Sequence, residues 1–302
     1  MDPPSPLLAV RGPHPYHPAS MRPEIRTPQL PDTMFQNELD AAVTLAREAG
    51  EAALSFYGDV QVRLKEGGSP VTEADHASNR VIIAGLRDAF PGDAILSEES
   101  RDDGSRLGAD RVWIVDPLDG TREFLARNGE FSVMIGLAVR GDPVLGVVYR
   151  PDGRVLYRAA SGQGAVVERD GDTAALAPAG ADMGSLRMVG SRSHGDELID
   201  RIRDALGVRD VQPSGSVGLK CGLIAEGRRD LYVHPVPYLK EWDTCAPEVI
   251  LREAGGTVTD CLGNRLQYNK AGPGQPHGIL ATAPGVHQEV LEIVEPIYRQ
   301  GL

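Results

Sequence analysis

Hydrophobic and polar positions change period several times along this chain, and each change marks an element. From Phe35 to Tyr57, Leu39, Val43, Ala46 and Ala53 recur at helical spacing, widened by Leu45 and Phe56. Glu38, Arg47, Glu48 and Glu51 fall on the opposite, water-facing side, and Gly58 predicts the stop. After a Gly67-Gly68 loop, a second helix is predicted from about Thr72 to Phe90, ended by Pro91-Gly92. Ala94 to Ser97 reads as a short buried strand running into Glu98-Glu99. Phe131 to Arg140, Val144 to Arg150 and Arg154 to Ala160 are apolar or alternating runs split by Gly141-Asp142 and Pro151-Asp152-Gly153. They predict an antiparallel meander.

The second half has a different rhythm. Leu186 to Gly190 is a strand candidate, followed by a helix from about Asp196 to Leu206. A helix from about Ser216 to Glu226, a strand at Asp230 to His234 and a helix from Asp243 to Glu253 come next, the last closed by Gly255-Gly256. A final helix runs from about Val286 to Tyr298. Alternating helices and strands predict a layered α/β unit. The Ala/Gly-rich stretch from Ala174 to Gly184 is the expected join, dividing an N-terminal α+β half at 34–182 from a C-terminal α/β half at 183–302. Residues 1–33 hold nine of the 23 prolines, show no periodicity and lack the apolar core of a signal peptide. They read as a disordered extension, and Met21 and Met34 leave alternative starts open.

Composition narrows the classes. At 302 residues with 41% hydrophobic and 25% charged positions, the chain has the balance of an ordinary globular protein. No stretch approaches the ~20 apolar residues of a membrane span. A net charge of −12 argues against a nucleic-acid polymer as partner but not against a small anionic substrate, because bound cations can offset local carboxylates. Cys221, Cys245 and Cys261 have neither metal-ligand spacing nor an even number, so they read as reduced core thiols of a cytoplasmic protein.

The densest chemistry lies at Trp113-Ile-Val-Asp116-Pro117-Leu118-Asp119-Gly120-Thr121. A buried strand would deliver Asp116 to a sheet edge, where Pro117 cannot continue a ladder. A turn there can aim Asp116, Asp119 and the Leu118 carbonyl at one point, a set of hard oxygen ligands suited to magnesium. Gly120 allows close approach to the backbone, and a helix opening at Thr121 would offer N–H groups to an anion. A plain Asp/Gly turn with a capped helix is the alternative for such a motif alone.

Four further clusters bear on it. In Ser69-Pro-Val-Thr72-Glu-Ala-Asp75, Thr72 and Asp75 fit a helix capping pair, or Asp75 orients a proton acceptor. Glu98-Glu99 leaves a strand end where a carboxylate could bridge cations. Asp243 in Glu241-Trp242-Asp243 is either an N-cap or a further ligand. Ser214-Gly215-Ser216-Val-Gly218-Leu-Lys220 places small residues and a lysine at a helix entry, suited to an anion or a sugar hydroxyl.

In this order and spacing, these segments resemble the inositol monophosphatase superfamily of lithium-sensitive, magnesium-dependent phosphomonoesterases. The resemblance runs from about Phe35 to the C-terminus and implies an αβαβα sandwich with the site between its halves. It implies that Glu98, Asp116, Asp119, Asp243 and the Leu118 carbonyl bind two or three Mg2+ ions. Thr121 and Asp75 would activate water, and the Gly120 and Thr121 amides would hold phosphate. Arg122-Glu123-Phe124, Arg127 to Val133, Val147 to Pro151, Ser191 to His194 and Leu266 to Asn269 are closer to bacterial 3'(2'),5'-bisphosphate nucleotidases of the CysQ type. Such enzymes hydrolyse 3'-phosphoadenosine 5'-phosphate, a by-product of sulfate activation, and His194, Ser216 and Lys220 would then face the substrate.

Two departures stand out. His234 sits where many of these nucleotidases carry Arg, and the Gly215 to Lys220 loop is one residue longer than in some of them. The rival reading is a phosphatase for inositol phosphates, fructose 1,6-bisphosphate or histidinol phosphate. Against it, inositol monophosphatases carry a Glu seven residues before the Trp-Asp aspartate, and here Val236 stands there. A homodimer is left open.

Overall fold

The computed structural model describes residues 34–58, 62–64, 70–193 and 195–301. The segment 1–33, the Gly67-Gly68 loop and His194 lie outside them. Helix α1 (Gln36–Leu54) is followed by an antiparallel pair, β1 (Val62–Leu64) and β2 (Pro70–Thr72), and by α2 (Glu73–Ala89). Strands β3 (Ala94–Ser97) and β4 (Arg111–Asp119) run parallel, and the short α3 (Thr121–Leu125) follows. Then β5 (Ser132–Val139), β6 (Asp142–Arg150), β7 (Val155–Ala160), β8 (Ala165–Arg169) and β9 (Asp172–Leu176) form the expected meander, two strands longer than the sequence indicated. Together β3 to β9 make a seven-stranded sheet in chain order.

The second sheet has five strands in the order β11-β10-β12-β14-β13. Its members are β10 (Arg187–Ser191), β11 (Asp210–Ser214), β12 (Leu231–His234), β13 (Thr257–Thr259) and β14 (Ile279–Thr282). Helices α4 (Glu197–Ala205), α5 (Val217–Ala225), α6 (Glu241–Glu253) and α7 (His287–Gln300) alternate with these strands. Helices α1 and α2 cover one face of the first sheet, α5 and α6 fill the space between the sheets, and α4 and α7 cover the second sheet. The architecture is the expected αβαβα sandwich.

The layering explains the sequence pattern. Trp113 and Val115 of β4 pack with Val133, Ile135 and Leu137 toward α1 and α2. Val112 and Ile114 point the other way, into the middle layer with Met134 and Val148. A sheet covered on both faces needs apolar residues at every position, so β4 and β5 read as continuous runs. Helix α5 is buried along its whole length between the sheets, which is why its composition is apolar all round. Two glycines face each other across β5 and β6 where α6 lies on the sheet, Gly136 opposite Gly146. A Cβ on Gly146 would fall 2.2 Å from the Ala246 carbonyl oxygen.

Several expectations need correction. Helix α6 begins at Glu241, which makes Asp243 its third residue and not its cap. Strand β9 occupies the first part of the Ala/Gly-rich stretch at 174–184; it is an exposed edge strand, so its alternation is weak. Strand β11 carries Pro213 on the edge of its sheet, where a missing N–H costs no ladder bond, and its polar sequence hid it. Glu38 does not simply face water: it pairs with Arg111 at 2.7 Å, and Arg111 also holds Asp93 at 2.8 Å. Among the described residues no helix is long and apolar enough to cross a membrane.

The glycine contact can be tested directly. Gly146→Ala should destabilise the protein by about 1–3 kcal/mol, because the obstructing atom is backbone and cannot rotate away. Gly92→Ala, where an added Cβ meets nothing within 4 Å, serves as the control and should stay within about 0.5 kcal/mol in urea unfolding.

Candidate active site

Asp116 and Asp119 are three apart on one strand, so regular alternation would send them to opposite faces. The pairing of β4 with β5 resolves this. Asp116 lies opposite Met134 and Asp119 opposite Ser132, so β4 spends one more residue than its partner over this interval. The extra residue is a β-bulge, and it restores both carboxylates to one side. The ladder therefore does not end at Asp116, as Pro117 suggested, but breaks and resumes at Asp119. Ser78 donates to the Pro117 carbonyl at 2.6 Å, and the Leu118 N–H donates to Asp116 Oδ1 at 3.0 Å. Both bonds pin the bulge.

Gly120 follows with φ 97°, a left-handed conformation. A Cβ there would lie 3.1 Å from the Glu130 carbonyl oxygen, so both conformation and space call for glycine. The chain then enters α3 at Thr121, whose hydroxyl donates to Asp75 Oδ1 at 3.0 Å and lies 3.4 Å from the Leu118 carbonyl oxygen. Asp75 makes bonds on two sides. Its Oδ2 accepts from the Thr72 N–H at 2.8 Å and the Thr72 hydroxyl at 2.7 Å, closing the capping box of α2. Its Oδ1 is thereby aimed at Thr121.

The C-terminal half completes the cluster. At the start of α6, Asp243 Oδ2 accepts from the Lys240 N–H at 2.5 Å. One carboxylate oxygen from each of Asp116, Asp119 and Asp243 lies within 4.8 Å of the others. Glu98, at the end of β3, stands outside that group but lines the same cleft, whose volume is about 720 Å³. Leu118, Gly120, Thr121, Ser216, Lys220 and His234 line it as well. Val236 does not line it and is half-buried in the loop before α6.

Burial and repulsion raise the cost of charge here. Burial, then the charges of Glu98, Asp119 and Asp243, push the Asp116 carboxyl well above the usual carboxylate range. Asp243 is raised well above it by burial and by Asp119 and Glu98. Asp119 is also raised by burial, opposed by Lys220 and by bonds from Ser216, Gly218 and Val217. Lys220 is buried with its ammonium on the Ser216 carbonyl oxygen at 3.0 Å; burial lowers its pKa against the pull of Asp119 and Glu123. Converging carboxylates of this kind suit a hard divalent cation, which would neutralise the repulsion and accept all-oxygen ligation.

Sequence reasoning missed the contacts that lock the two halves together. Glu130 accepts from Arg192 Nε at 2.7 Å and Nη2 at 2.6 Å, and from the Gly215 N–H at 2.8 Å. Ser193 donates to Glu123. No local pattern signals these bonds, because each joins residues more than 60 positions apart. Tyr238, 74% exposed on the cleft rim, was overlooked too; a large aromatic in a Pro-Val-Pro loop beside Trp242 was its available signal.

Fold and cleft are those of a metal-dependent phosphatase, and comparison with known proteins gives the family. The family model for inositol monophosphatases matches residues 35–297, and the chain belongs to the inositol monophosphatase family. Over 234 residues it is 41% identical to the 3'(2'),5'-bisphosphate nucleotidase CysQ of Salmonella typhimurium, covering 76% of this chain and 93% of that protein. It is 36% identical over 216 residues to a 3'-phosphoadenosine 5'-phosphate phosphatase of Mycobacterium bovis, covering 69% and 76%. The CysQ structure from Bacteroides thetaiotaomicron superposes with a TM-score of 0.71 at 35% identity, covering 83% of this chain and 98% of that one.

The raised carboxyls carry a sign that can be checked in chelated protein. The folded state holds protons that an unfolded chain, with carboxyls near pKa 4, releases. Stability of the metal-free protein should therefore fall as pH rises from about 4 toward neutrality. Asp116→Asn should flatten that slope and raise the melting temperature at pH 7, by roughly 2–4 °C per kcal/mol of repulsion relieved. Magnesium should raise the melting temperature of the parent protein far more than that of the variant, read by thermal unfolding with and without chelator.

Proposed function

We propose that this protein hydrolyses the 3'-phosphate of 3'-phosphoadenosine 5'-phosphate, giving AMP and inorganic phosphate, with magnesium as cofactor. The observation that carries the reading is the Thr121–Asp75 pair standing beside the Leu118 carbonyl and the converged carboxylates. Glu98, Asp116, Asp119, Asp243 and the Leu118 carbonyl would hold two or three Mg2+ ions. When bound, these supply charge for the phosphate oxygens and acidify water in the cleft.

The remaining work falls to the chain itself. A water proton passes to Thr121 Oγ as the Thr121 proton passes to Asp75 Oδ1. The water oxygen attacks phosphorus in line, the bond to the 3'-oxygen breaks, and that oxygen takes up a proton from solvent. The Gly120 and Thr121 amides hold the phosphate oxygens as negative charge builds on them. Asp75 keeps its direction because its other oxygen is tied into the capping box. Lys220 supplies a buried positive charge in the cleft, which favours a substrate carrying a second phosphate. Similarity to nucleotidases over most of the chain and the placement of Val236 off the cleft support a nucleotide over a cyclitol.

Asp116→Asn should cut turnover more than tenfold while the fold persists, since such ligands contribute several kcal/mol of transition-state stabilisation. Lithium should inhibit, whereas potassium at equal ionic strength should not. The deciding measurement is kcat/KM for 3'-phosphoadenosine 5'-phosphate against inositol 1-phosphate and fructose 1,6-bisphosphate, where the nucleotide should lead. Lys220→Ala should raise KM for the bisphosphate roughly tenfold to a hundredfold, and far less for a 3'-monophosphate, as expected of a lost charge-assisted bond worth ~1.5–3 kcal/mol. Equal effects on all substrates would replace the nucleotidase reading with a general phosphatase.

A further inference from the structure

Ser216 adopts φ 48° and ψ 129°, a backbone conformation that favours glycine, at the N-cap of α5. Its hydroxyl is fully used within the protein. It donates to Asp119 Oδ2 at 2.7 Å and accepts from the Leu219 N–H at 3.1 Å. The Ser132 hydroxyl lies 2.8 Å away. A hydroxyl has one proton and two lone pairs, so with its proton on Asp119 it accepts from Ser132 and has nothing left for a ligand. The Ser216 carbonyl is equally committed, accepting from the Lys220 N–H at 3.2 Å and from Lys220 Nζ at 3.0 Å. Asp119 Oδ2 in turn takes two more donors, the Val217 N–H at 2.6 Å and the Gly218 N–H at 3.3 Å. Ser216 lines the cleft, and its hydroxyl and carbonyl are bonded within the protein.

We propose that Ser216 is a positioning residue for the metal centre: held in a strained conformation, it fixes Asp119 so that Oδ1 is the oxygen presented to a cation. A strained, non-glycine residue persists only where its surroundings over-determine it, and four partners do so here. Ser132 and Asp119 pair across β5 and β4 in the N-terminal half, whereas Ser216, Val217 and Gly218 come from α5 in the C-terminal half. The carboxylate is therefore aimed only when the two halves are docked. The inference rests on the reading of Asp119 as a metal ligand.

The test separates the two. Mg2+ and Mn2+ affinity is measured on the full chain by calorimetry and by tryptophan fluorescence, Trp242 lying beside Asp243 in the cleft wall. Melting temperatures and KM for the nucleotide at saturating metal are measured in parallel. Ser216→Ala and Ser216→Gly should each weaken metal binding roughly 10–100-fold, the usual effect of removing an outer partner of a ligand. KM at saturating metal should stay within about twofold of the parent, by the same separation of metal and substrate contacts. Ser216→Gly should melt higher than Ser216→Ala, because glycine relieves the backbone and alanine does not. Unchanged metal affinity in both variants overturns the proposal, and a raised KM with unchanged metal affinity overturns it in favour of a substrate contact. Asp119→Asn is the reference: if it leaves metal binding intact, the ligand assignment fails first, and if it abolishes binding while both Ser216 variants bind normally, only the positioning role fails.

Discussion

Mutual repulsion among converging carboxylates is the constraint around which this molecule is arranged. Asp116, Asp119 and Asp243 present oxygens within 4.8 Å of one another, and Glu98 adds its charge from the same cleft. Such a cluster works against folding unless rigid structure holds it and a cation neutralises it. The holding elements come from three adjoining layers. A bulge in β4 is pinned by Ser78 of α2, α5 clamps Asp119 with three donors, and the first turn of α6 sets Asp243.

Because the converging carboxylates come from both halves, docking of the sheets and assembly of the cluster are one event. The Arg192–Glu130 pair and the Ser193–Glu123 bond cross the same seam. Dense packing sets how closely the layers meet: glycines on β5, β6 and α5 leave room where a methyl group would collide with a neighbouring ring, sulfur or backbone carbonyl. Small residues in the core thus bear on cleft geometry as directly as the charged residues that line it.

A local stability device also sets the geometry of the cleft. The capping box of α2 uses one oxygen of Asp75 for the helix and turns the other toward Thr121. The sequence Thr72-Glu-Ala-Asp75 fits a structural or a functional reading, and one carboxylate has two oxygens and can serve both. Ser216 is the converse case. Small residues at a helix entry suit anions, yet here the Ser216 hydroxyl and carbonyl are both bonded within the protein.

Helical and strand periods, glycine and proline stops and the motif from Asp116 to Thr121 determined the layered architecture, the meander and the family, because those signals are local. The sequence also determined which carboxylates were candidates, since few residue types offer hard oxygen ligands beside a Gly-Thr turn. Tertiary structure decided what pattern cannot carry. Residues three apart on a strand should diverge, and only the pairing with β5, through one unmatched residue, brings Asp116 and Asp119 together. Edge strands β9 and β11 were illegible because exposed edges need no apolar alternation. The assignment of each oxygen and hydroxyl to its partner was also beyond the sequence, because those partners lie on elements up to about a hundred residues away and meet only when the two sheets close on α5 and α6.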